Sequence, residues 1–366
     1  MDFNFHYAPV IKGKMNDIKA ASFVASHLLD RAKPIFELPP FVATDKAEQV
    51  LARFSKNLSK HYDARPCYVD FPLLKAGTIT SDGQPVLHNA YGQLNALAIN
   101  FEPVYGFDRD DSQWELVIRQ AKLSGGMLLR LDLEDIEFMS DTVDQIQDLT
   151  MRGLDTRSLD VLVDCRYLRS SVETVALAES VAVLIEKLAT SFKLRKIIVT
   201  GSSAPKNVSN IEKNSSASIL RNELSLWTNL RVRNLAMDVV YSDYGVIHPD
   251  FTDLTPSPHI NGKIRYTKGL SFHIFRGHSL RQDDKYEQYR SLSHKVMNSG
   301  LYEGHAFSVG DRYIYDCATG QATTGSPGTW VMNDMNHHFT HAAHQLTRLE
   351  SLIYRGYPEY AILDAA

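Results

Sequence analysis

Met127-Leu-Leu-Arg-Leu-Asp132 and Leu159-Asp-Val-Leu-Val-Asp164 decide the fold. Each run is too short for a helix, almost continuously apolar, and closed by an acid. A strand buried on both faces needs such a run, because neither face looks onto water. Working outward, similar runs recur at Tyr7-Ala-Pro-Val-Ile11, Pro34-Ile-Phe-Glu-Leu38, Pro66-Cys-Tyr-Val-Asp70 and Ala98-Ile-Asn-Phe-Glu102 on one side. Lys196-Ile-Ile-Val-Thr200 and Ala236-Met-Asp-Val-Val-Tyr241 follow on the other.

Between the runs the apolar period lengthens to that of a helix. Helices are predicted over 17–32, 44–61, 112–123, 140–152, 171–192 and 209–229. Thr44 stands where an N-cap belongs, and Ser112 with Glu115 has capping-box spacing. The clearest helix, 171–192, carries Val172, Val175, Leu177, Val181, Leu184, Ile185 and Leu188 as its apolar face. The third crossover is the shortest: after a loop or small hairpin at 75–87, with Asp82-Gly83 as its turn signal, residues 88–97 remain for a helix.

Strands alternating with helices predict parallel pairing through right-handed crossovers. Eight such units within residues 1–245 match the usual size of a closed, TIM-like (β/α)₈ barrel. Periodicity does not show closure, so an open doubly wound parallel sheet is the alternative. From residue 246 the texture changes. A proline-containing loop at 246–262 leads to a hairpin, Gly262–Thr267 and Leu270–Phe275 around Lys268-Gly269. A charged helix near 284–298, a hairpin-like stretch Arg312-Tyr-Ile-Tyr315, a Gly/Thr/Ser loop at 319–329 and a helix over 333–353 complete the chain. Residues 246–366 thus read as an α+β appendage packed on the barrel mouth, with too little apolar sequence for a core of its own.

Composition narrows the class. Of 366 residues, 44% are hydrophobic and 22% charged, which excludes a disordered, collagen-like or small disulfide-stapled chain. Lys and Arg (39) against Asp and Glu (43) leave a net charge of −4, so no global field holds nucleic acid non-specifically. Cys67, Cys165 and Cys317 are widely spaced and odd in number, as expected of reduced thiols in the cytoplasm. No basic leader precedes an apolar run, and no stretch reaches about 18 apolar residues, so neither a secretion signal nor a membrane span is expected.

In a parallel barrel, chemistry gathers at the C-terminal strand ends. There the runs carry Lys12 with Lys14, Glu37, Asp70, Glu102, Arg130 with Asp132, Asp164 with Arg166, Thr200 with Ser202, and Asp238 with Ser242 and Asp243. Residues two apart on a strand share a face, so Arg130 and Asp132 can both point inward, as can Asp164 and Arg166. Such a ring could hold a divalent metal while its cations receive phosphate, or supply an acid–base pair. It could equally be a structural ion-pair network. Gly201-Ser202-Ser203 resembles the small-residue turn that barrels use for phosphate. In the appendage, Arg265 and Arg276, the latter beside Gly277, suit bidentate anion contact, and Asp311 suits a turn cap. His337, His341 and His344 have zinc-ligand spacing on a helix, without the intervening glutamate of a zinc protease. No Gly-x-Ser-x-Gly elbow, Walker loop or dinucleotide fingerprint occurs.

Tyr7-Ala-Pro-Val-Ile-Lys-Gly-Lys14 followed by Pro34-Ile-Phe-Glu-Leu-Pro39 resembles the opening of the phage and bacterial beta protein family. Asp243-Tyr-Gly-Val-Ile-His-Pro249, Ile264–Thr267, Phe275-Arg-Gly277, Phe307-Ser-Val-Gly-Asp311, and Thr329-Trp330 followed by His337-His338 are similar to its further signatures, in the same order. The resemblance implies a cytosolic, phage- or defence-linked setting. It marks Lys12, Glu37, Asp243, Arg265, Arg276, Asp311, His337 and His338 as motif positions and transfers no reaction or cofactor.

Together these readings predict an enzyme of hydrolase or phosphodiesterase type, acting on a nucleotide, a nucleotide signal or a nucleic-acid end. Lys12, Arg130, Arg166, Asp243, Arg265 and Arg276 would bind substrate. Glu37, Asp70, Asp132, Asp164 and Asp238 would supply a metal site or general base, with His337 or His338 as proton donor. The competing expectation is a sensor or inhibitor that binds a ligand or protein without turnover.

Overall fold

Every predicted apolar run becomes a strand. A computed structural model describes residues 4–41, 46–62, 65–75, 77–251, 260–282 and 284–354. The strands are β1 (Val10–Lys12), β2 (Ile35–Glu37), β3 (Cys67–Asp70), β4 (Phe101–Gly106), β5 (Met127–Leu131), β6 (Leu159–Tyr167) and β7 (Lys196–Ser202). Then come β8 (Ser216–Leu220), β9 (Val239–Tyr241), β10 (Asn261–Lys268) and β11 (Ser271–Ser279). β1 to β7 and then β9 form an eight-stranded parallel sheet in chain order. Helices flank it in an α/β arrangement.

The sheet is curled, and the segments around its first and last strands are hydrogen-bonded to each other. Tyr7, on the approach to β1, makes parallel bridges to both Ala32 and Tyr241. The Ala8 N–H donates to the Tyr241 carbonyl at 3.0 Å and the Val10 N–H to that of Asp243 at 2.7 Å. The Ser242 hydroxyl donates to the Ala8 carbonyl at 2.6 Å.

Strand period two sorts the inner face into layers. Val10, Ile35, Tyr68, Val104, Leu128, Leu162, Ile198 and Val240, from the eight parallel strands, join Phe5, Ala8 and Tyr244 in one apolar cluster. Two residues further along β1, β2, β3, β5 and β6 stand Lys12, Glu37, Asp70, Arg130 and Asp164, all buried. Two residues back from the apolar layer stand Lys33, Glu102 and Asp160. Lys33 reaches Glu102 at 2.7 Å, Arg195 bonds Glu102 and Asp160, and the Tyr68 hydroxyl donates to Asp160. A charged network therefore lies on each side of an apolar slab. The opposite sheet face packs on the helices in the largest hydrophobic cluster.

Several local expectations are corrected. Helix 17–32 is two helices, Met15–Ser22 and Ser26–Leu29. Ser112 does not cap its helix; the Asp110 carboxylate accepts from the Ser112 N–H, and Asp111–Gln113 is a 3₁₀ turn before helix Trp114–Ser124. The cap expected at Thr44 lies outside the described residues. Helix Ser171–Ser191 buries Val181, Leu184, Ile185 and Leu188 of its expected face, but near its start Val172 and Val175 are 82% and 54% exposed and Thr174 and Ala178 are buried instead. The segment 209–229 divides into β8 and helix Asn222–Arg231, and the Arg312–Tyr315 stretch lies within helix Val309–Ala318.

The appendage pairs β10 with β11 and β11 with β8, all antiparallel, so its sheet also takes a strand from before residue 245. It does build an apolar cluster, with Ile264, Tyr266, Phe275, Tyr289, Leu292, Val296, Ile314, Cys317 and Trp330. Helix Pro327–Tyr354 packs against both β10 and helix Met15–Ser22, tying appendage to sheet. Among the described residues no helix is long and apolar enough to cross a membrane.

Leu162 is fully buried in the apolar slab between two charged layers, where a cavity has few ways to collapse. Leu162→Ala is expected to destabilise the fold by about 2–5 kcal/mol, read by urea denaturation.

Candidate functional site

The C-terminal ends of the parallel strands converge on one side chain. Arg130 Nη1 donates to Glu37 at 2.7 Å and to Asp70 at 2.6 Å. Its Nη2 donates to Asp164 and to the Tyr244 hydroxyl, each at 2.6 Å, and Nε reaches Asp164 at 3.1 Å. Lys12 bonds Glu37 and the Pro249 carbonyl, with its ammonium 4.1 Å from the Phe251 ring centroid. Arg109 reaches Asp70 at 3.2 Å. Gly13 makes the approach of β1 to β2 possible, since a Cβ there would lie 2.7 Å from the Glu37 carbonyl oxygen.

Electrostatics follow from this packing. Burial pushes the Glu37 carboxyl up, but Lys12 and Arg130 outweigh it and hold it below its ordinary value. Asp164 behaves alike, lowered against its burial by Arg130, Arg166 and the Tyr244 hydroxyl. These carboxylates are engaged by cations, and the Arg130 guanidinium stands between Glu37, Asp70 and Asp164. Among the described residues no trio of His, Cys, Asp or Glu is placed to hold a metal. The predicted metal ring is instead a salt-bridged floor.

Above this floor opens a cleft of about 1200 Å³. Its walls come from the end of β1 (Lys12, Lys14), the loop after β7 (Pro205–Ser209) and the loop after β9 (Ile247, His248, Asp250, Phe251). The hairpin (Lys263, Arg265, Arg276) and the helix bearing Trp330 complete them. Asp17 and Asp250 are the carboxylates in this lining, against Lys12, Lys14, Lys206, Lys263, Arg265 and Arg276. Arg166 links floor to rim, reaching Asp164 and the Tyr244 hydroxyl at 3.4 Å and Asp250 at 2.8 Å. It holds φ +54 at a register irregularity in β6, a left-handed conformation that non-glycine residues adopt mainly where surroundings enforce it.

The Beta protein family model matches residues 7–344. The chain belongs to the Beta protein family. No curated protein matches it. The family signatures first noted in the sequence fall at the floor (Lys12, Glu37), in the cleft wall (His248, Arg265, Arg276) and at the joint between sheet and appendage (Asp243, His338), with His337 beside it inside the appendage.

That joint corrects the role expected of the histidine pair. His338 is fully buried; burial drives its ring to the neutral form, so Nε2–H donates to Asp243 at 2.9 Å and Nδ1 accepts from the Thr267 hydroxyl at 2.8 Å. His337 stacks on Tyr266 at 3.8 Å, with Nδ1 facing Asp311 and Nε2 facing the Thr267 carbonyl, each at 2.8 Å. Neither histidine lines the cleft. Asp243 also accepts from the Tyr7 and Tyr241 hydroxyls at 2.9 and 2.7 Å. Burial raises its carboxyl, yet His338, Arg221 and Tyr241 hold it well below the ordinary range. Asp243 is thus a hub between sheet and appendage rather than a substrate contact.

Other expected residues take structural positions. Asp132 caps helix Leu133–Glu137 in a reciprocal box with Asp135. Asp238 precedes β9 at the opposite strand end, 93% exposed and paired with Arg231. Arg276 donates to the carbonyls of Val208 (2.8 Å), Ser209 (3.1 Å) and Ile211, clamping the loop that forms one cleft wall. Arg265 faces Asp334 at 3.4 Å. Asp311 receives hydroxyls from Ser308 and Tyr266 at 2.6 Å, and it is Ser308 that caps helix Val309–Ala318. Of the zinc-like trio, His341 accepts the Gly269 N–H at 3.2 Å and faces Glu303 at 3.6 Å. The residues that sequence reasoning passed over are Lys206, Tyr244, His248, Asp250 and Lys263. His248 had a signal, since it stands inside the Asp243–Pro249 signature.

Arg130→Ala leaves Glu37, Asp70 and Asp164 buried without their shared counter-charge, and is expected to cost at least about 3–5 kcal/mol in chemical denaturation. A pH effect attaches to His341, whose ring burial lowers from 6.5 to about 4 against the pull of Glu303. The folded state thus binds this proton less readily than the unfolded chain, and stability is lost as pH falls from about 6.5 to about 4. The stability difference between wild type and His341→Gln should shift against wild type across that window in urea melts.

Proposed function

We propose that the protein binds a phosphate-bearing ligand in the cleft above the Arg130 floor and acts on it as a hydrolase or phosphodiesterase. The observation that carries this reading is the charge of the lining. Cations contributed by the end of β1, the β7 loop and the hairpin line one cavity, although the whole chain is net negative. Local concentration of positive charge in a walled cleft attracts anions far more strongly than the same charges spread over a surface. The volume exceeds the usual range of roughly 300–1,000 Å³ for small-molecule pockets, which suits a nucleotide, a nucleotide signal or a nucleic-acid end.

We also read the curled sheet as a closed, TIM-like (β/α)₈ barrel. The Tyr7–Tyr241 bridge, the hydrogen bonds from Ala8 and Val10, and the apolar slab drawn from all eight parallel strands support closure. On this reading the cleft occupies the mouth where barrel enzymes work. The family's phage- and defence-linked setting favours a cytoplasmic nucleotide signal or nucleic-acid end as the ligand.

A sensor that binds without turnover is the second reading. The saturation of Glu37, Asp70 and Asp164 by Arg130, Lys12 and Arg109 favours it, because it leaves the floor carboxylates no proton or metal to exchange.

Calorimetric titration of ATP and a short single-stranded oligonucleotide, followed by chromatography of the incubated ligand, separates these readings. Binding that weakens with salt, with product formed, supports the enzyme; binding with the ligand recovered intact supports the sensor. Lys206→Glu combined with Lys263→Glu is expected to weaken binding at least tenfold while leaving the unfolding midpoint nearly unchanged. Unchanged affinity in that variant removes the cleft as the site.

A further inference from the structure

His248 stands out in this cleft because the backbone, not a titratable partner, decides its tautomer. The Asp250 N–H donates to Nδ1 at 3.1 Å. A nitrogen that accepts a hydrogen bond carries no proton, so the neutral ring bears its hydrogen on Nε2. Nε2 has no hydrogen-bond partner among the described residues, while the ring lines the cleft. The imidazole is braced against Tyr167, with ring centroids 4.8 Å apart. Its orientation is therefore set before any ligand arrives.

The charges around it keep the ring neutral. Burial lowers its proton affinity; the Asp250 carboxylate, 3.7 Å away, works against this, and Lys206, Arg166 and Lys12 lower it further. Asp250 is already engaged by Lys206 at 2.7 Å and Arg166 at 2.8 Å. Protonating Nδ1 would also break its bond to the Asp250 amide.

We infer that His248 is a tautomer-locked hydrogen-bond donor that seats one tetrahedral oxyanion of the ligand, Nε2–H meeting an anionic oxygen beside the Lys206 ammonium. This deepens, and rests on, the reading of the cleft as a phosphate site. The two groups assigned to the anion, Nε2–H and the Lys206 ammonium, both donate, and the nearby Asp250 carboxylate is already engaged by Lys206 and Arg166, so the pair favours groups whose oxygens only accept, such as ionised phosphate. Because the ring donates while neutral, anion binding takes up no proton at neutral pH.

The test uses full-length protein with ring-¹⁵N histidine and sulfate as the probe, a tetrahedral dianion whose own charge is constant across the neutral range. His248 signals are assigned by their loss in His248→Gln. The expected result is an Nε2–H tautomer in free protein and a sulfate-dependent shift confined to Nε2. Calorimetry in buffers of different ionisation enthalpy should show no proton uptake. His248→Phe, which keeps the ring packing on Tyr167, should weaken sulfate about tenfold, with His248→Gln, which retains an N–H donor, losing less. An Nδ1–H tautomer, proton uptake on binding, or undiminished affinity in His248→Phe overturns the assignment while leaving the cleft reading intact. Failure of both sulfate and ATP to bind overturns the cleft reading and this inference with it.

Discussion

One guanidinium organises the upper end of the sheet. Arg130 rises from the middle of β5 and reaches acids on β2, β3 and β6, together with the Tyr244 hydroxyl beyond β9. Carboxylates cannot be buried at this density without a counter-charge, because desolvation costs several kcal/mol per ion unless excellent geometry offsets it. A planar fork with five donors can serve several acids at once, which an ammonium of one charge centre cannot. The consequence is geometric: strands far apart in sequence are held at one height by a shared partner. The cleft above inherits a rigid floor.

The lower network at Lys33, Glu102, Asp160 and Arg195 repeats the device on the other side of the apolar slab. Between the two layers the strands contribute Val10, Ile35, Val104, Leu128, Leu162, Ile198 and Val240, with the rings of Tyr68 and Tyr244. This alternation of charged, apolar and charged layers explains why the strand sequences look almost continuously hydrophobic yet end in acids and bases. Outward-facing positions meet helices and inward-facing ones meet either the slab or a network, so both are largely shielded from water.

Much of this was legible in the chain. The runs from Tyr7–Ile11 to Ala236–Tyr241 announced all eight parallel strands because burial on both faces leaves a compositional mark, and period two placed Arg130 and Asp164 on the inner face. What periodicity could not carry is partnership. Asp238 lies at the N-terminal end of β9, because the strand begins only at Val239 and an acid inside an apolar run does not show which strand end it will occupy. Near the start of their helix Val172 and Val175 are exposed, with Thr174 and Ala178 buried instead, because which residues of a helix meet the sheet is set by tertiary packing that apolar spacing alone does not fix. β8 was hidden in a helical expectation: none of Ser216–Leu220 is fully buried, so the run carries no apolar mark of a strand, and its partner β11 lies far along the chain. The His337-His338 pair attracted attention as chemistry, whereas its partners, Thr267, Asp311 and Asp243, lie 70, 26 and 95 residues away and could not be counted from spacing.

The division of labour between these histidines and His248 follows from what surrounds them. His337 and His338 are enclosed by acceptors and hydroxyls on both ring nitrogens, so His337 is spent within the appendage and His338 on joining it to the sheet through Asp243. His248 spends one nitrogen on a backbone amide and leaves the other without a partner among the described residues, in a ring that lines the cavity. A hydrogen-bonding group becomes available to a ligand when the protein satisfies only part of its capacity and fixes the remainder in place. The appendage therefore contributes to the cleft in two distinct ways: through Asp243, His338 and Thr267 it is fastened to the sheet, and through Lys263, Arg265 and Arg276 it supplies the wall opposite β1. Loosening the first would displace the second, so the integrity of the cleft depends on buried residues that no ligand touches.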